Sequence, residues 1–567
     1  MAVATTMGVV AMSLAVAMPT AVRAAGPEVA PGRIERQYED KTKAPRPTSE
    51  GVRVPSLEAQ GPPPNAEQIR FVLSGVEIDG NTAISDEKLS RPFQGLVGQN
   101  VSLAQMFAAA NEITRMYVSA GYALSLAFVP AQEVKGGIVR IRVVEGYIAE
   151  VEFVDENTFH SRLWTGFAER LQASRPLRTK DLERNLLLAN DIAGVEVSST
   201  FERMDGDVGA TRLIMDIKRK WFDGRLEANN RGSEAIGPTR VQLNAAFNNL
   251  IGAEDRFGIF GVRVPDGEEL AYLAGRFDLP LTSSGLSMAL DIGKSHSKVG
   301  ADLAIIDFQT DGWTGGLSFT YPVVRSRAEN LYATLGMGYK NLKSSNVFFP
   351  ENTHDVMTTV NIGADYDMVD RWGGLVQAAG TLYIGLDVFD STQANDPLAS
   401  RMDASGEFIR LEATASRMQS FRSDLHFYSE INAQIADGAL LVSEQCGYGG
   451  AHLGRGFDPF EIAGDHCVKG LAELRYDLPI TSGKFFWFLN SAQAYGLADI
   501  GWVVKSGDLL PSEKRQQAGA SVGLGVRARM VDYIDGLVEL TQPIGLGVEF
   551  ESNNKDPRVF FGIAVEY

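Results

Sequence analysis

From about Trp221 to the last residue, apolar and polar positions alternate with a period of two. Leu331, Ala333, Leu335, Met337 and Tyr339 alternate with Tyr332, Thr334, Gly336, Gly338 and Lys340, and the same rhythm runs through 409–416 and 425–435. Successive side chains of a strand point to opposite faces, so each such stretch has one apolar and one polar face. Sixteen stretches can be set out, beginning near Trp221, Thr239, Arg256, Glu269, Gly285, Thr314, Asn330, Asp355, Gly374, Glu407, Ser423, Val468, Phe485, Gln517, Gly536 and Val559. Their connections are short and long in turn: 279–284 and 478–483 are turns, 295–313 and 436–467 long loops. An even strand count, one face for lipid and one for a wet lumen, and turns opposite loops predict a 16-stranded antiparallel transmembrane β-barrel over residues 220–567. A soluble β-sandwich is the competing architecture. In the final stretch Val559, Phe561, Ile563, Val565 and Tyr567 share a face, and the chain stops on an aromatic at the height of an interface girdle.

Before residue 220 the texture is different. Residues 71–78 read as a strand that ends at the Gly80-Asn81 turn signal. Ser102 and Gln105 make a capping box for a helix with Leu103, Met106, Phe107, Ala110, Ile113 and Tyr117 on one face, which stops at Gly121. Strands follow at 124–129 and 138–144, the latter alternating Val139, Ile141 and Val143 with Arg140 and Arg142. A similar unit covers 148–218, with a helix at 180–190 and a last strand at 211–218. The expectation is two α+β modules in tandem, each β-α-α-β-β, at 70–146 and 147–219.

The first residues read as an export signal over 1–24. An apolar run at 7–18, too short to span a bilayer as a helix, is followed by Val22-Arg23-Ala24 with small residues at the −3 and −1 positions. Residues 1–6 carry no Lys or Arg, and a buried helix is the alternative. Residues 25–69 are polar and rich in Pro, an extended linker, apart from a short stretch at 33–43 with the charge spacing of a helix.

Composition narrows the function classes. With 44% apolar residues and no later run of eighteen apolar residues, the chain is not a helical membrane protein. The 58 Gly suit many turns and close-packed strands, and a net charge of −18 argues against a nucleic-acid partner. No GxxxxGK[ST] or HExxH string is present. Nucleotide and zinc chemistry therefore have no visible site, no acyl-transfer site is expected, and no catalytic residue, metal or cofactor is assigned. The two cysteines, Cys446 and Cys467, are the last residues of interest on composition alone. In an exported chain they either form a disulfide at the base of a long loop or remain separate buried thiols.

Three stretches, in this order, resemble one family, the outer-membrane transporters of two-partner secretion (TpsB, or haemolysin secretion/activation, proteins). Residues 117–122 with Val129-Pro130-Ala131-Gln132 and Val144-Glu145-Gly146 look like that family's first POTRA module. Residues 182–195 look like the second, with Ala193 where the family usually has Pro. Ser443-Glu444-Gln445, Gly449-Gly450, Arg455-Gly456-Phe457 and Gly464-Asp465 look like its sixth surface loop, with Gly454 where Val is common. The resemblance covers about 31–567.

The resemblance implies an outer-membrane barrel of a Gram-negative bacterium with two periplasmic POTRA modules, which binds a large exported partner and passes it through the pore. That client would be a TpsA-type adhesin, haemolysin or other filamentous protein, secreted with or without activation. Outer-membrane lipid and, during biogenesis, the barrel assembly machinery would be further partners. Loop 6, at about 437–467, would fold into the lumen with Arg455, Gly456 and Phe457 at its tip, against Asp499 and Gly501 of the thirteenth strand; a solvated loop charge is the alternative for Arg455. An arginine fork meeting a carboxylate fits a narrow lumen. The 33–43 helix would plug the pore. An extended client segment can add to a free sheet edge of the first module. Its groove is expected at Tyr117, Tyr122, Leu126 and Phe128, with core packing as the alternative reading of this helix. A barrel-assembly factor of the same superfamily and a small-solute porin are the rival functions.

Overall fold

The computed structural model describes residues 30–38, 61–155, 161–204, 206–265, 269–480, 488–509, 513–545 and 556–567. The expected signal at 1–24 and most of the linker lie outside them. Of the expected 33–43 helix, α1 (Arg33–Tyr38) is described.

The first module runs β1 (Arg70–Val72), β2 (Gly75–Asp79), α2 (Asp86–Leu89), β3 (Asn100–Ser102), α3 (Leu103–Ser119), β4 (Leu126–Phe128) and β5 (Ile138–Val144). The capping box at the start of α3 is formed: Gln105 N–H donates to the Ser102 hydroxyl, and the Gln105 side chain accepts from Ser102 N–H. Its apolar stripe packs on a sheet of order β2-β5-β4, burying Phe107, Ile113, Val139 and Ile141. The short β3 between the helices was not expected; it pairs with β1.

The second module is β6 (Tyr147–Asp155), α4 (Arg162–Ala173), α5 (Thr179–Asn190), β7 (Val195–Arg203) and β8 (Ala210–Arg219), with its sheet in the order β6-β8-β7. Its element order is β-α-α-β-β. Leu163, Trp164, Phe167 and Leu171 recur at helical spacing, so α4 buries them against the sheet.

The barrel strands are β9 (Phe222–Asn229), β10 (Arg240–Asn248), β11 (Arg256–Arg263), β12 (Leu270–Pro280), β13 (Ser287–Lys298), β14 (Gln309–Arg325), β15 (Glu329–Ser345) and β16 (Thr353–Val369). They continue with β17 (Leu375–Leu386), β18 (Ile409–Arg422) and β19 (Leu425–Ala436). Two short strands, β20 (Cys446–Tyr448) and β21 (Ile462–Gly464), precede β22 (His466–Asp477), β23 (Leu489–Val504), β24 (Gln516–Met530), β25 (Ile534–Gly545) and β26 (Arg558–Glu566). Leaving out β20 and β21, these close a barrel in which neighbours are antiparallel and β26 pairs with β9, Ile563 facing Ala228. The sixth strand starts at Gln309 rather than Thr314, because small Thr310 and Gly312 blur the alternation there. The expected thirteenth start at Phe485 lies outside the described residues, and β23 begins at Leu489.

The alternation sorts the faces. Ile431 is 59% exposed on the outer wall, whereas Glu430 beside it is 8% exposed and faces the lumen. Among the described residues no helix is long and apolar enough to cross a membrane. The second module docks under the rim that carries the short turns. Arg325 clasps Asp191 at 2.6 and 2.8 Å, and Trp164 Nε1 donates to Glu254 at 2.7 Å. A cavity of about 680 Å³ opens there between Leu163, Phe167 and Ile192 of the module and Arg276, Asp278 and Tyr332 of the barrel.

Candidate functional site

The long connection between β19 and β22, the eleventh and twelfth barrel strands, returns into the lumen instead of staying outside. Its arms β20 and β21 pair with each other, Cys446 facing Gly464. Cys446 and Cys467 are joined, with their Cα atoms 6.4 Å apart, so the loop is tied at its base to β22.

Arg455 sits at the tip and is buried. Its guanidinium does not meet Asp499, the partner expected from sequence. It bridges Glu473 of β22 at 2.6 Å and Glu539 of β25 at 3.1 Å, both fully buried. Asp499 of β23 takes the backbone instead, accepting from the Arg455 N–H at 3.2 Å. The reason is reach: a guanidinium at the end of a long side chain extends past the strand that its own backbone touches. Glu473 also holds Arg475 at 2.6 Å and Arg527 at 3.0 Å, while Glu539 holds Arg231 at 2.8 Å and the Tyr495 hydroxyl at 2.6 Å. Five groups thus share two carboxylates, which offsets the desolvation of each.

Asp499 and Gly501 nonetheless receive the loop. The Tyr448 hydroxyl donates to Asp499 at 2.6 Å, and the Ser521 hydroxyl to the same oxygen. The Tyr448 ring lies flat on Gly501, where a Cβ would come within 2.3 Å of it. Phe457 packs on Tyr448 with ring centroids 5.3 Å apart, and the Gly456 N–H donates to Ser521 at 3.2 Å. Gly454 has a φ of +83°, and a Cβ there would stand 2.5 Å from the Gly449 N. The turn that aims Arg455 therefore excludes Val in this chain.

Residues 519–523 do read G-x-S-x-G, so the string of acyl-transfer enzymes is present. It lies within β24, without the strand-to-helix elbow that exposes a nucleophile, and its Ser521 is buried against Asp499.

The helix α1 fills the other side of the lumen. Arg36 pairs with Glu412, donates to Gln434 at 2.6 Å and reaches the Gln445 carbonyl at 2.9 Å. Glu35 accepts from Ser295, and Tyr38 accepts from Arg240 at 2.9 Å while stacking on Tyr272. The Arg33 guanidinium lies 5.7 Å from the centre of the Phe460 ring. Helix and loop therefore touch, and Gln445 is their shared residue.

In the first module the expected groove is not one surface. Tyr117 is fully buried; its hydroxyl donates to Glu145 at 2.7 Å. Burial and that acceptor push its phenol well above the ordinary range. For Glu145 burial acts upward, but the N–H groups of Ala83 and Thr82 and the hydroxyls of Thr82 and Tyr117 outweigh it and lower the carboxyl. Tyr122 packs on the rim of the core. Leu126 and Phe128 are half-buried on the far face of β4, because Ala127 and Val129 are the residues that point at α3.

Glu473, Glu539, Glu412 and Tyr448 were not anticipated. The signal for the acids was present: each stands at a lumen-facing position in the alternation of its strand. Among the described residues no three His, Cys, Asp or Glu side chains gather as a metal site.

Comparison with known proteins completes the picture. The family model described as POTRA domain, ShlB-type, matches residues 71–146, and that of haemolysin secretion/activation protein ShlB/FhaC/HecB matches residues 209–526. The heme/hemopexin transporter protein HuxB of Haemophilus influenzae (strain 86-028NP) is 23% identical over 476 residues, 81% of each chain. The outer membrane transporter CdiB of Dickeya dadantii (strain 3937) is 21% identical over 437 residues, 73% of this chain and 75% of that one. The solved structure of CdiB from Escherichia coli shares the fold, with a TM-score of 0.70 at 18% identity over 94% of this chain and 96% of that one. With a POTRA module ahead of a closed sixteen-stranded barrel, the chain belongs to the haemolysin secretion/activation protein ShlB/FhaC/HecB family of outer-membrane transporters, which secrete a partner protein through the barrel with their POTRA modules in the periplasm.

Proposed function

We propose that this chain takes an extended segment of one large exported protein at its first module and passes it out once α1 leaves the lumen, beside a loop 6 whose tip stays anchored. The supporting observation is the character of the seal. Helix α1 holds the lumen and loop 6 through polar contacts of Arg33, Glu35 and Arg36, while Ile34 and Tyr38 are its two side chains in an apolar cluster with the barrel wall. The polar groups regain water when the helix leaves, so its exit exposes only the apolar surface shared by those two side chains and the wall. On this reading Arg455, Gly456 and Phe457 form the lumenal anchor, with Asp499 and Gly501 as its floor.

The second module acts as a further POTRA, a reading supported by its shared β-α-α-β-β order. The client is a TpsA-type adhesin, haemolysin or other filamentous protein. Lipid contacts the exposed apolar wall, and the barrel assembly machinery inserts the closed barrel. Deleting the gene in its host should clear the partner from the surface and the medium. The full chain should restore it, and a chain lacking 71–146 should not. Partner still secreted by the deletion strain would overturn the proposal.

A further inference from the structure

The first module's sheet has two outer strands, β2 and β4, and the β4 edge lies beside α3. In an antiparallel pair the N–H and C=O of one residue face the same side and alternate along the strand. Ala127 lies opposite Val143, and its N–H turns away from β5 toward α3. It donates to the Thr114 hydroxyl at 2.9 Å, and the same oxygen lies 3.4 Å from the Ala127 carbonyl. Thr114 is 6% exposed, so this hydroxyl is packed between helix and strand.

A second side chain does the same one step along. β4 has three residues and β5 has seven, so β5 outruns its neighbour. Arg140 has the same parity as Arg142 and Val144, which face β4, and nothing of β4 reaches it. The Gln132 amide takes that place: Arg140 N–H donates to its oxygen at 2.8 Å, and its nitrogen donates to the Arg140 carbonyl at 2.7 Å. Pro130, with no N–H, ends β4 between the two.

We propose that Thr114 and Gln132 stand in for a missing strand, closing the sheet edge so that an extended polypeptide joins β4 only by displacing the Thr114 hydroxyl. This rests on the reading that the first module takes the partner. An open edge accepts any extended chain, and unfolded proteins are the traffic of this compartment. A side-chain substitute removes that indiscriminate pairing. A segment then needs side-chain contacts as well, and Leu126 and Phe128 are the cross-strand neighbours that would supply them. Gln132 confines the added strand to β4. Both are positioning residues.

The test uses the full chain in detergent and a fluorescent peptide of alternating threonine and valine. Thr114→Val leaves the Ala127 N–H without its acceptor, and the peptide should bind about tenfold tighter than to the unsubstituted chain. Thr114→Ser keeps the hydroxyl and should match the unsubstituted chain. Gln132→Ala, at an exposed position, cannot harm the core and should speed amide exchange at Arg140. Unchanged or weaker peptide binding by Thr114→Val overturns the proposal, and unchanged Arg140 exchange in Gln132→Ala overturns the part given to Gln132. Secretion by Phe128→Asp separates the two readings. If Thr114→Val binds tighter while Phe128→Asp secretes normally, the closed edge stands and the client reading falls. If Phe128→Asp stops secretion while Thr114→Val binds no tighter, the client reading stands and the closed edge falls.

Discussion

Arg455→Ala is the substitution whose consequence can be worked furthest. It removes the guanidinium that bridges Glu473 at 2.6 Å and Glu539 at 3.1 Å. Hydrogen bonds to charged groups contribute about 1.5–3 kcal/mol each, so roughly 3–6 kcal/mol of tip anchoring is the upper bound. Removing one partner of a buried pair costs about 3–5 kcal/mol when the other is stranded. Here neither acid is stranded, since Glu473 keeps Arg475 and Arg527, and Glu539 keeps Arg231 and Tyr495. The backbone contacts of the tip with Asp499, Ser521 and Thr541 also survive. The net loss is therefore about 3 kcal/mol, roughly two orders of magnitude in the ratio of docked to lifted tip. The barrel should insert at its normal level and keep its heat-modifiable migration, while secretion of the partner is lost and pore conductance rises. Arg455→Lys, a point charge that cannot span both acids, should fall between. Normal secretion and conductance in Arg455→Ala would refute the anchoring role. Loss of the inserted barrel would refute the arithmetic, because it would mean the two acids could not stand without Arg455.

Other outcomes follow from the same geometry. Glu473→Gln takes the shared carboxylate from Arg455, Arg475 and Arg527 together, so the melting temperature of the barrel should fall further than in Arg455→Ala. Arg36→Ala removes the contacts with Glu412, Gln434 and Gln445 and should raise conductance and uptake of an antibiotic too large for porins, with secretion retained. Gly501→Ala would set a methyl 2.3 Å from the Tyr448 ring and should abolish secretion, whereas Gly496→Ala, with its nearest neighbour at 3.4 Å, should not. Glu145 has a folded-state value below its ordinary 4.5. Its contribution to the first module is then complete above about that pH and is lost as pH falls through the lowered value. Unfolding followed by a fluorophore at Val118→Cys should show that acid slope, and Glu145→Gln should flatten it and lower stability at neutral pH.

The sequence alone determined the barrel. Side-chain period two assigns each residue of a strand to lipid or lumen without reference to any neighbour, which is why Ile431 and Glu430, or Phe561 and its partners, were sorted before any contact was known. The module helix was legible for the same reason, since its capping box and apolar stripe are local. Partners inside the lumen were a different matter. Parity says that Glu473, Asp499 and Glu539 all face inward, but not which of them an inward loop will meet. Only barrel closure and the path of the loop bring β22, β23 and β25 around one guanidinium, and side-chain length then sends the charge to the two glutamates and the backbone to Asp499. The first module gives the same lesson on a smaller scale. Alternation puts Leu126 and Phe128 on one face of β4, and the close approach of α3 through Thr114 decides that the smaller Ala127 and the adjoining Val129 turn inward. The Arg455 site was read from sequence as a tip and a floor; the structure adds the two acids that hold it, because long-range contacts are set by the packed geometry and not by spacing along the chain.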